Sequence, residues 1–350
     1  MPNKPTAFFA ALLLLPALAA CDKTPQTVTL QGETMGTTYT VKYLPPSSGK
    51  TPAAAKLQQQ IDEALEEVNR QMSTYREDSE ISRFNQAAAG ETPLAVSADF
   101  AEVTAEAIRL NRITQGALDV TVGPLVNLWG FGPGKEVVKE PSAEAIEAAA
   151  RVSGIDKIAL SQNGTQAMLA KTENGVYLDL SSIAKGFGVD KVAATLEQAE
   201  IDNYLVEIGG ELHGKGHNAQ NEAWRVGIEQ PNIVQGGAAQ IVVPLNNRSL
   251  ATSGDYRIFH TDAHGKRLSH IINPQTRRPI SHNLASISVV ADNAMTADGL
   301  STGLFVLGEQ AALKLAEAEN LAVFLIIRDQ DGYRTAMSSA FRKLVTEHKP

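Results

Sequence analysis

From Thr37 to Leu44 apolar and polar positions alternate, with Tyr39, Val41 and Tyr43 on one face, the pattern of a half-buried strand. The period then changes. Between Lys56 and Met72 the residues Leu57, Ile61, Leu65, Val68 and Met72 recur at helical spacing among acids and glutamines, which predicts an amphipathic helix. A second helix is expected after a Ser97 cap, with Phe100, Val103, Ala107 and Leu110 as its stripe, and a third over Ser142 to Val152, stopping near Gly154. Beyond it lie short β-like runs: Val176 to Leu180, Tyr204 to Ile208, Trp224 to Glu229, Gln240 to Leu245 and Ala285 to Ala291. A helix around Glu309 to Ala318, a buried strand at Ala322 to Ile327, an Asp331-Gly332 turn and a return strand close the chain. Strands and helices are grouped, not alternating, so the expected class is α+β, a largely antiparallel sheet core with packed helices. Without an internal repeat or a long linker, residues 28–346 read as a single compact unit.

Composition narrows the function. The chain of 350 residues is 43% hydrophobic, enough for a real core, and its net charge of −8 excludes a general nucleic-acid binder. Lys4 precedes an apolar run from Ala7 to Leu15 and then small residues, the layout of a secretory signal over residues 1–20, too short to span a bilayer. Leu18-Ala19-Ala20-Cys21 resembles the bacterial lipobox, in which the cysteine becomes the lipidated first residue. Cys21 is the only cysteine, so disulfides and thiol catalysis are excluded once it is lipidated. Residues 21–27 then form a tether, and Asp22 resembles an inner-membrane retention signal, so the expectation is a lipid-anchored protein on the periplasmic face of the inner membrane.

Two stretches carry candidate chemistry. In Ala291 to Gly303, Asp298 and Thr302 stand four residues apart on one face of an expected short helix. A carboxylate and a hydroxyl flanked by Ala297, Gly299 and Gly303 suit a hard cation, Mg²⁺ first; the bland reading is that Asp298 caps a helix continuing as Leu304 to Leu307. In Leu178 to Asp190 a strand ends at Asp179, Ser181 and Ser182 can cap, and a helix begins near Ile183, presenting free N–H groups to an anion. Gly186 and Gly188 permit close approach of a ligand or another backbone, and Lys185 offers a positive charge.

Together these stretches resemble the ApbE family, the Mg²⁺-dependent FAD:protein FMN transferases, of which a lipoprotein form is common. The resemblance runs over most of the mature chain: Thr34-Met35-Gly36-Thr37, Met72-Ser73-Thr74-Tyr75, Ser79 to Asn85, Gly116 to Val126, Leu128-Trp129-Gly130-Phe131-Gly132, Gly209-Gly210, Ala251 to Tyr256 and His270-Ile271-Ile272-Asn273-Pro274. It implies a T-fold-like α+β architecture. It also implies metal ligation by Asp298, Thr302 and the backbone carbonyl of Ser182. FAD contacts would come from Met35, Ala117, Leu118, Asp119, Asp179, Lys185 and Ile272, with His270 as the active-site histidine. Two positions depart from the family pattern. Asn273 stands where Asp is usual, and Thr276-Arg277 where Thr-Gly is usual; Asn shares the turn geometry of Asp, so a turn-shaping role is expected there.

The activity implied is attack by a Ser or Thr hydroxyl of an acceptor protein on the FMN-side phosphorus of FAD, releasing AMP. The implied acceptors are periplasm-facing subunits of the sodium-pumping quinone reductase or of Rnf-type complexes. Two alternatives stay open: a FAD-binding carrier lipoprotein, and a FAD pyrophosphatase in which water replaces the hydroxyl. The remaining histidines, His213, His217, His260, His264 and His282, lack tight ligand spacing for zinc, and His260 and His264 read as surface residues at a hairpin tip. Trp129 and Tyr75 could stack on a flavin or serve as core.

Overall fold

The computed structural model describes residues 26–46, 52–132, 140–230, 239–255, 259–261, 267–330 and 332–346. The expected signal sequence, Cys21, most of the tether, His264 and Asp331 lie outside them. Eight strands form one antiparallel sheet whose spatial order follows the chain: Val28–Thr34, Thr37–Tyr43, Tyr204–Ile208, Glu211–Lys215, Arg248–Gly254, Leu284–Ala291, Ala322–Asp329 and Gly332–Met337. Among the described residues six helices are inserted between the second and third strands: α1 (Ala54–Met72), α2 (Glu80–Gln86), α3 (Ala98–Ile113), α4 (Gly123–Leu128), α5 (Ala143–Arg151) and α6 (Ala184–Gln198). Helices α7 (Ala294–Leu307) and α8 (Glu309–Ala318) connect the sixth and seventh strands, and α9 (Ser339–Thr346) follows the last. The α+β architecture with a largely antiparallel sheet is therefore the observed one. Among the described residues no helix is long and apolar enough to cross a membrane.

The hydrophobic pattern explains the layers. Tyr39, Val41 and Tyr43 turn inward and meet the α1 stripe of Leu57, Ile61 and Leu65 together with Val189, Val192 and Leu196 of α6. Each such buried side chain contributes roughly 1.5–3 kcal/mol by removal from water. Leu284–Ala291 is buried on both faces, Ile287 and Val289 against the helical layer and Val290 against a second layer that includes Val226, Val243 and Phe341. A strand covered on both sides alternates little in burial, and here the small Ser286 and Ser288 are buried among the apolar residues. Ser97 caps α3 as expected, and Ser142, expected to begin the third helix, caps α5; they accept from the Phe100 and Ala145 N–H groups at 3.2 Å each.

Val176 to Leu180 departs from expectation. The segment is extended, with Val176, Leu178 and Leu180 buried, yet it pairs with no strand among the described residues. The Asn85 amide takes the place of a neighbouring strand: its Nδ2 donates to the Leu178 carbonyl at 2.9 Å and its Oδ1 accepts from the Leu178 N–H at 2.7 Å. Buried Lys171 braces the clamp, its Nζ donating to the Asn85 carbonyl at 2.9 Å.

Asn85→Ala should thus lower unfolding free energy by about 2–3 kcal/mol, since it leaves a buried donor and acceptor of Leu178 unpaired. Urea unfolding measures this, and a loss below about 0.5 kcal/mol, the scale of an ordinary surface change, would contradict the clamp.

Candidate active site

Asn293, not Asp298, caps α7: its Oδ1 accepts from the Thr296 N–H at 2.7 Å. Asp298 sits in the second turn, 3% exposed, and reaches across to α6, where its Oδ2 accepts from the Gly186 N–H at 2.9 Å. Asp190 of α6 returns the exchange, accepting from the Ala294 and Met295 N–H groups at 2.8 Å each. Advancing along α6 from Gly186 to Asp190 thus retreats along α7 from Asp298 to Ala294, so the two helices overlap antiparallel by their N-terminal turns. A carboxylate on another helix's free N–H groups also meets the positive end of that helix. Gly186 is required by the approach: a Cβ there would lie 2.2 Å from the Ala294 carbonyl oxygen and 2.8 Å from Asp298 Cβ.

The serines do not cap α6. Its N-cap is Ile183, without a side-chain bond, and Ser181 spends its N–H and hydroxyl on Asp179 Oδ1 at 3.0 and 2.6 Å. Local turns and caps compete for the same short polar side chains, and here the turn wins. The Gly186 N–H that would close the first helical turn onto the Ser182 carbonyl points to Asp298 instead, and no backbone N–H among the described residues donates to that oxygen.

Lys185 pairs with Glu211 at 2.7 Å; Glu211 is almost fully buried, whereas the lysine side chain is 30% exposed. Burial presses the Lys185 ammonium down, but the carboxylates of Asp298 and Glu211 more than offset this and hold it at about 12. Burial pushes the carboxyls of both Glu211 and Asp298 up, against the pull of Lys185. Two acids share one base, so the cluster takes up a proton as pH falls or accommodates a further cation. Asp298 carboxylate, Thr302 hydroxyl one turn on and the unpaired Ser182 carbonyl are all hard oxygen donors, the set that Mg²⁺ prefers. Among the described residues no group of three or more His, Cys, Asp or Glu is arranged around a metal-sized space. Glu211 escaped the sequence reading. The one hint was the Gly209-Gly210 pair before it, both left-handed (φ 58° and 104°), which turns the chain between two strands and brings Gly209 beside the Lys185 stem.

Of the remaining site residues, Leu118 and Met35 pack directly against the two helices. Gly299 and Gly303 of α7 admit Leu118, bringing Ala117 to Asp119 against the helix. Asp119 Oδ1 accepts from the Thr121 N–H and hydroxyl at 2.9 and 2.6 Å, and burial raises its carboxyl against those bonds. Asp179 lies alongside, its N–H donating to the Val120 carbonyl at 2.8 Å, and its Oδ2 has no hydrogen-bond partner among the described residues. Met35 occupies a left-handed turn (φ 49°) between the first two strands, with its methyl over Gly188 of α6.

His270 meets Phe131 edge-on, ring centroids 6.5 Å apart. Ile272 is buried with Leu125, Trp129 and Ile146, so what it can offer a ligand is backbone. Asn273 shapes the next turn, its Oδ1 accepting from the Gln275 and Thr276 N–H groups at 2.8 and 3.0 Å, while Arg277 takes the left-handed position (φ 60°). Gln275 Nε2 donates to the Gln115 carbonyl at 3.3 Å, tying this loop to the turn before Ala117. Trp129 is core, its Nε1 donating to the Arg277 carbonyl at 3.0 Å, whereas Tyr75 is 76% exposed. His213 and His282 are half-buried, bonded to Ser249 Oγ at 2.8 Å and the Phe305 carbonyl at 2.7 Å.

The ApbE family matches residues 35–325. Among curated relatives, a FAD:protein FMN transferase of Haemophilus influenzae is 54% identical over 339 residues, 97% of each chain. One of Vibrio cholerae is 46% identical over 343 residues, 97% of this chain and 99% of the relative. Among solved structures, the flavin transferase ApbE from Vibrio cholerae superposes with a TM-score of 0.82 at 46% identity, covering 91% of this chain and 99% of that one. The apo flavinyl transferase ApbE of Pseudomonas stutzeri gives 0.82 at 38% identity, covering 92% and 97%.

The buried acids set a pH dependence. Burial lifts the Asp190 carboxyl from its ordinary 3.8 to about 6. A carboxyl whose folded value is raised costs stability when ionised; the cost is full above about pH 6 and disappears as pH falls through 6 toward 3.8. Glu211 and Asp298 shift in the same direction. Without divalent cations the melting temperature should therefore rise as pH is lowered from about 7.5 to 5, with Mg²⁺ stabilising more at the higher pH. A flat profile, or an equal Mg²⁺ shift at both ends, would contradict the charge surplus.

Proposed function

The chain belongs to the ApbE family, and on that premise we propose that it is a FAD:protein FMN transferase. The observation that carries the proposal is the surplus buried carboxylate beside Lys185, set among oxygen donors where two helix N-termini overlap. In this reading FAD is the substrate, with Asp179 and Asp119 accepting from its N–H groups or ribose hydroxyls, and Lys185 facing phosphate. Met35, Ala117, Leu118 and the Ile272 backbone line the same site. Asp298, Thr302 and the Ser182 carbonyl would hold Mg²⁺, which supplies charge neutralisation at the phosphate oxygens when bound.

A Ser or Thr hydroxyl of the acceptor attacks the FMN-side phosphorus. A bond forms between that oxygen and phosphorus, the bond to the bridging oxygen breaks, and AMP leaves with the bridging oxygen. His270 takes the hydroxyl proton, since neutral imidazole is available near pH 7. Lys185, held protonated, offsets charge on the phosphates. The acceptors in this reading are periplasm-facing subunits of the sodium-pumping quinone reductase or of Rnf-type complexes. The chain would be anchored through lipid on Cys21 at the periplasmic face of the inner membrane. Residues 1–20 would be its signal, 21–27 its tether and 28–346 its catalytic unit.

The test is to incubate the protein with FAD, Mg²⁺ and an acceptor domain, then weigh the acceptor by intact mass spectrometry. A gain of one FMN, abolished by EDTA, is expected; FMN and AMP released without a gain would favour hydrolysis. His270→Ala should lower transfer by roughly 10²–10⁴-fold while FAD still binds. Transfer by that variant at the parent rate with an unchanged pH profile would remove His270 from the reaction.

A further inference from the structure

Hydroxyl groups around Thr302 form a chain whose proton directions can be deduced, and the deduction bears on the metal reading above, on which it rests. Ser301 Oγ lies 2.9 Å from the backbone carbonyl of Asp298, which can only accept, so the Ser301 proton is committed there. The same Oγ is 2.8 Å from Ser253 Oγ. A hydroxyl has a single proton and two lone pairs, so Ser301 must accept here and Ser253 must donate. Ser253 Oγ is in turn 3.1 Å from Thr302 Oγ1, and with the Ser253 proton already spent Thr302 must be the donor. Ser301 is fully buried, which keeps solvent from supplying another arrangement at the first link.

We infer that Ser253 is a positioning residue that makes Thr302 a pure oxygen donor toward the site. The relay from Thr302 to Ser253, Ser301 and the Asp298 carbonyl commits the Thr302 proton and leaves both lone pairs of its Oγ1 for a divalent cation. It also links the two side-chain ligands, because the carbonyl that ends the relay belongs to Asp298 itself. Ser253 stands at the end of the Arg248–Gly254 strand, so a rigid sheet holds the helix hydroxyl in place. Without Ser253 the Thr302 hydroxyl turns freely, and its proton competes for the direction a cation needs.

Calorimetric titration of Mg²⁺ into the full chain, with no FAD present, tests this. Ser253→Ala should weaken Mg²⁺ binding about tenfold, the scale seen when partners that orient metal ligands are removed. Ser253→Thr keeps the hydroxyl and should retain the parent affinity. Because Ser253 acts through Thr302, Ser253→Ala combined with Thr302→Val should bind no more weakly than Thr302→Val alone. Parent affinity in Ser253→Ala, or an additive loss in the double variant, would overturn the relay. Parent affinity in Thr302→Val would instead overturn the metal reading beneath it. Melting without Mg²⁺ checks that each variant is folded.

Discussion

Two helices that exchange carboxylates set the geometry of everything else in this protein. Asp298 of α7 accepts from the first turn of α6, and Asp190 of α6 accepts from the first turn of α7. Both helices would otherwise bring free N–H groups, and the positive ends of their dipoles, into a buried contact. Each acid therefore answers the other helix's need, at the cost of placing two negative groups under the sheet. The missing side chain of Gly186 lets the backbones approach closely enough for the exchange.

From that overlap the rest follows by packing. The sheet runs in chain order, so the Met35 turn and the Gly209-Gly210 turn emerge at the same end as the α6 N-terminus. The segments carrying Asp119 and Asp179 are tied back to this frame by backbone and amide hydrogen bonds rather than by strand pairing, and Gln275 ties the turn after Asn273 to the turn before Ala117. Non-glycine residues in left-handed turns recur here, at Met35, Gln115 and Arg277. Such conformations store strain and persist where surrounding structure over-determines them.

Elements with a strong period were legible in the sequence, and those built by single side chains were not. Tyr39, Val41 and Tyr43 and the α1 stripe lie where the pattern put them, because burial rewards one face of each, and the Ser97 cap lies where its side chain can accept from the first turn. The Asp298 and Thr302 pair was legible for the same reason, as four-residue spacing on a helix fixes a shared face. Val176 to Leu180 had the pattern of a strand without the neighbour, since nothing local announces that an Asn85 amide replaces one. Ser181 and Ser182 looked like caps, but the exchange between helices had already supplied a carboxylate. Glu211 and Asp190 were passed over, because an acid's partner across 26 or 104 residues leaves no local trace. His270, Met35 and Ile272 came from family resemblance alone; no periodicity singles them out.

In the proposed reading the Asp298 oxygen that accepts from the Gly186 N–H serves the fold, whereas its negative charge is retained for a cation. Asp298→Asn keeps an oxygen for the Gly186 N–H and removes the surplus charge, so melting at about pH 8 with and without Mg²⁺ tests the claim directly. The account predicts that the variant without Mg²⁺ melts at least as high as the parent and gains nothing from Mg²⁺. A variant that melts lower and is still stabilised by Mg²⁺ like the parent would contradict it.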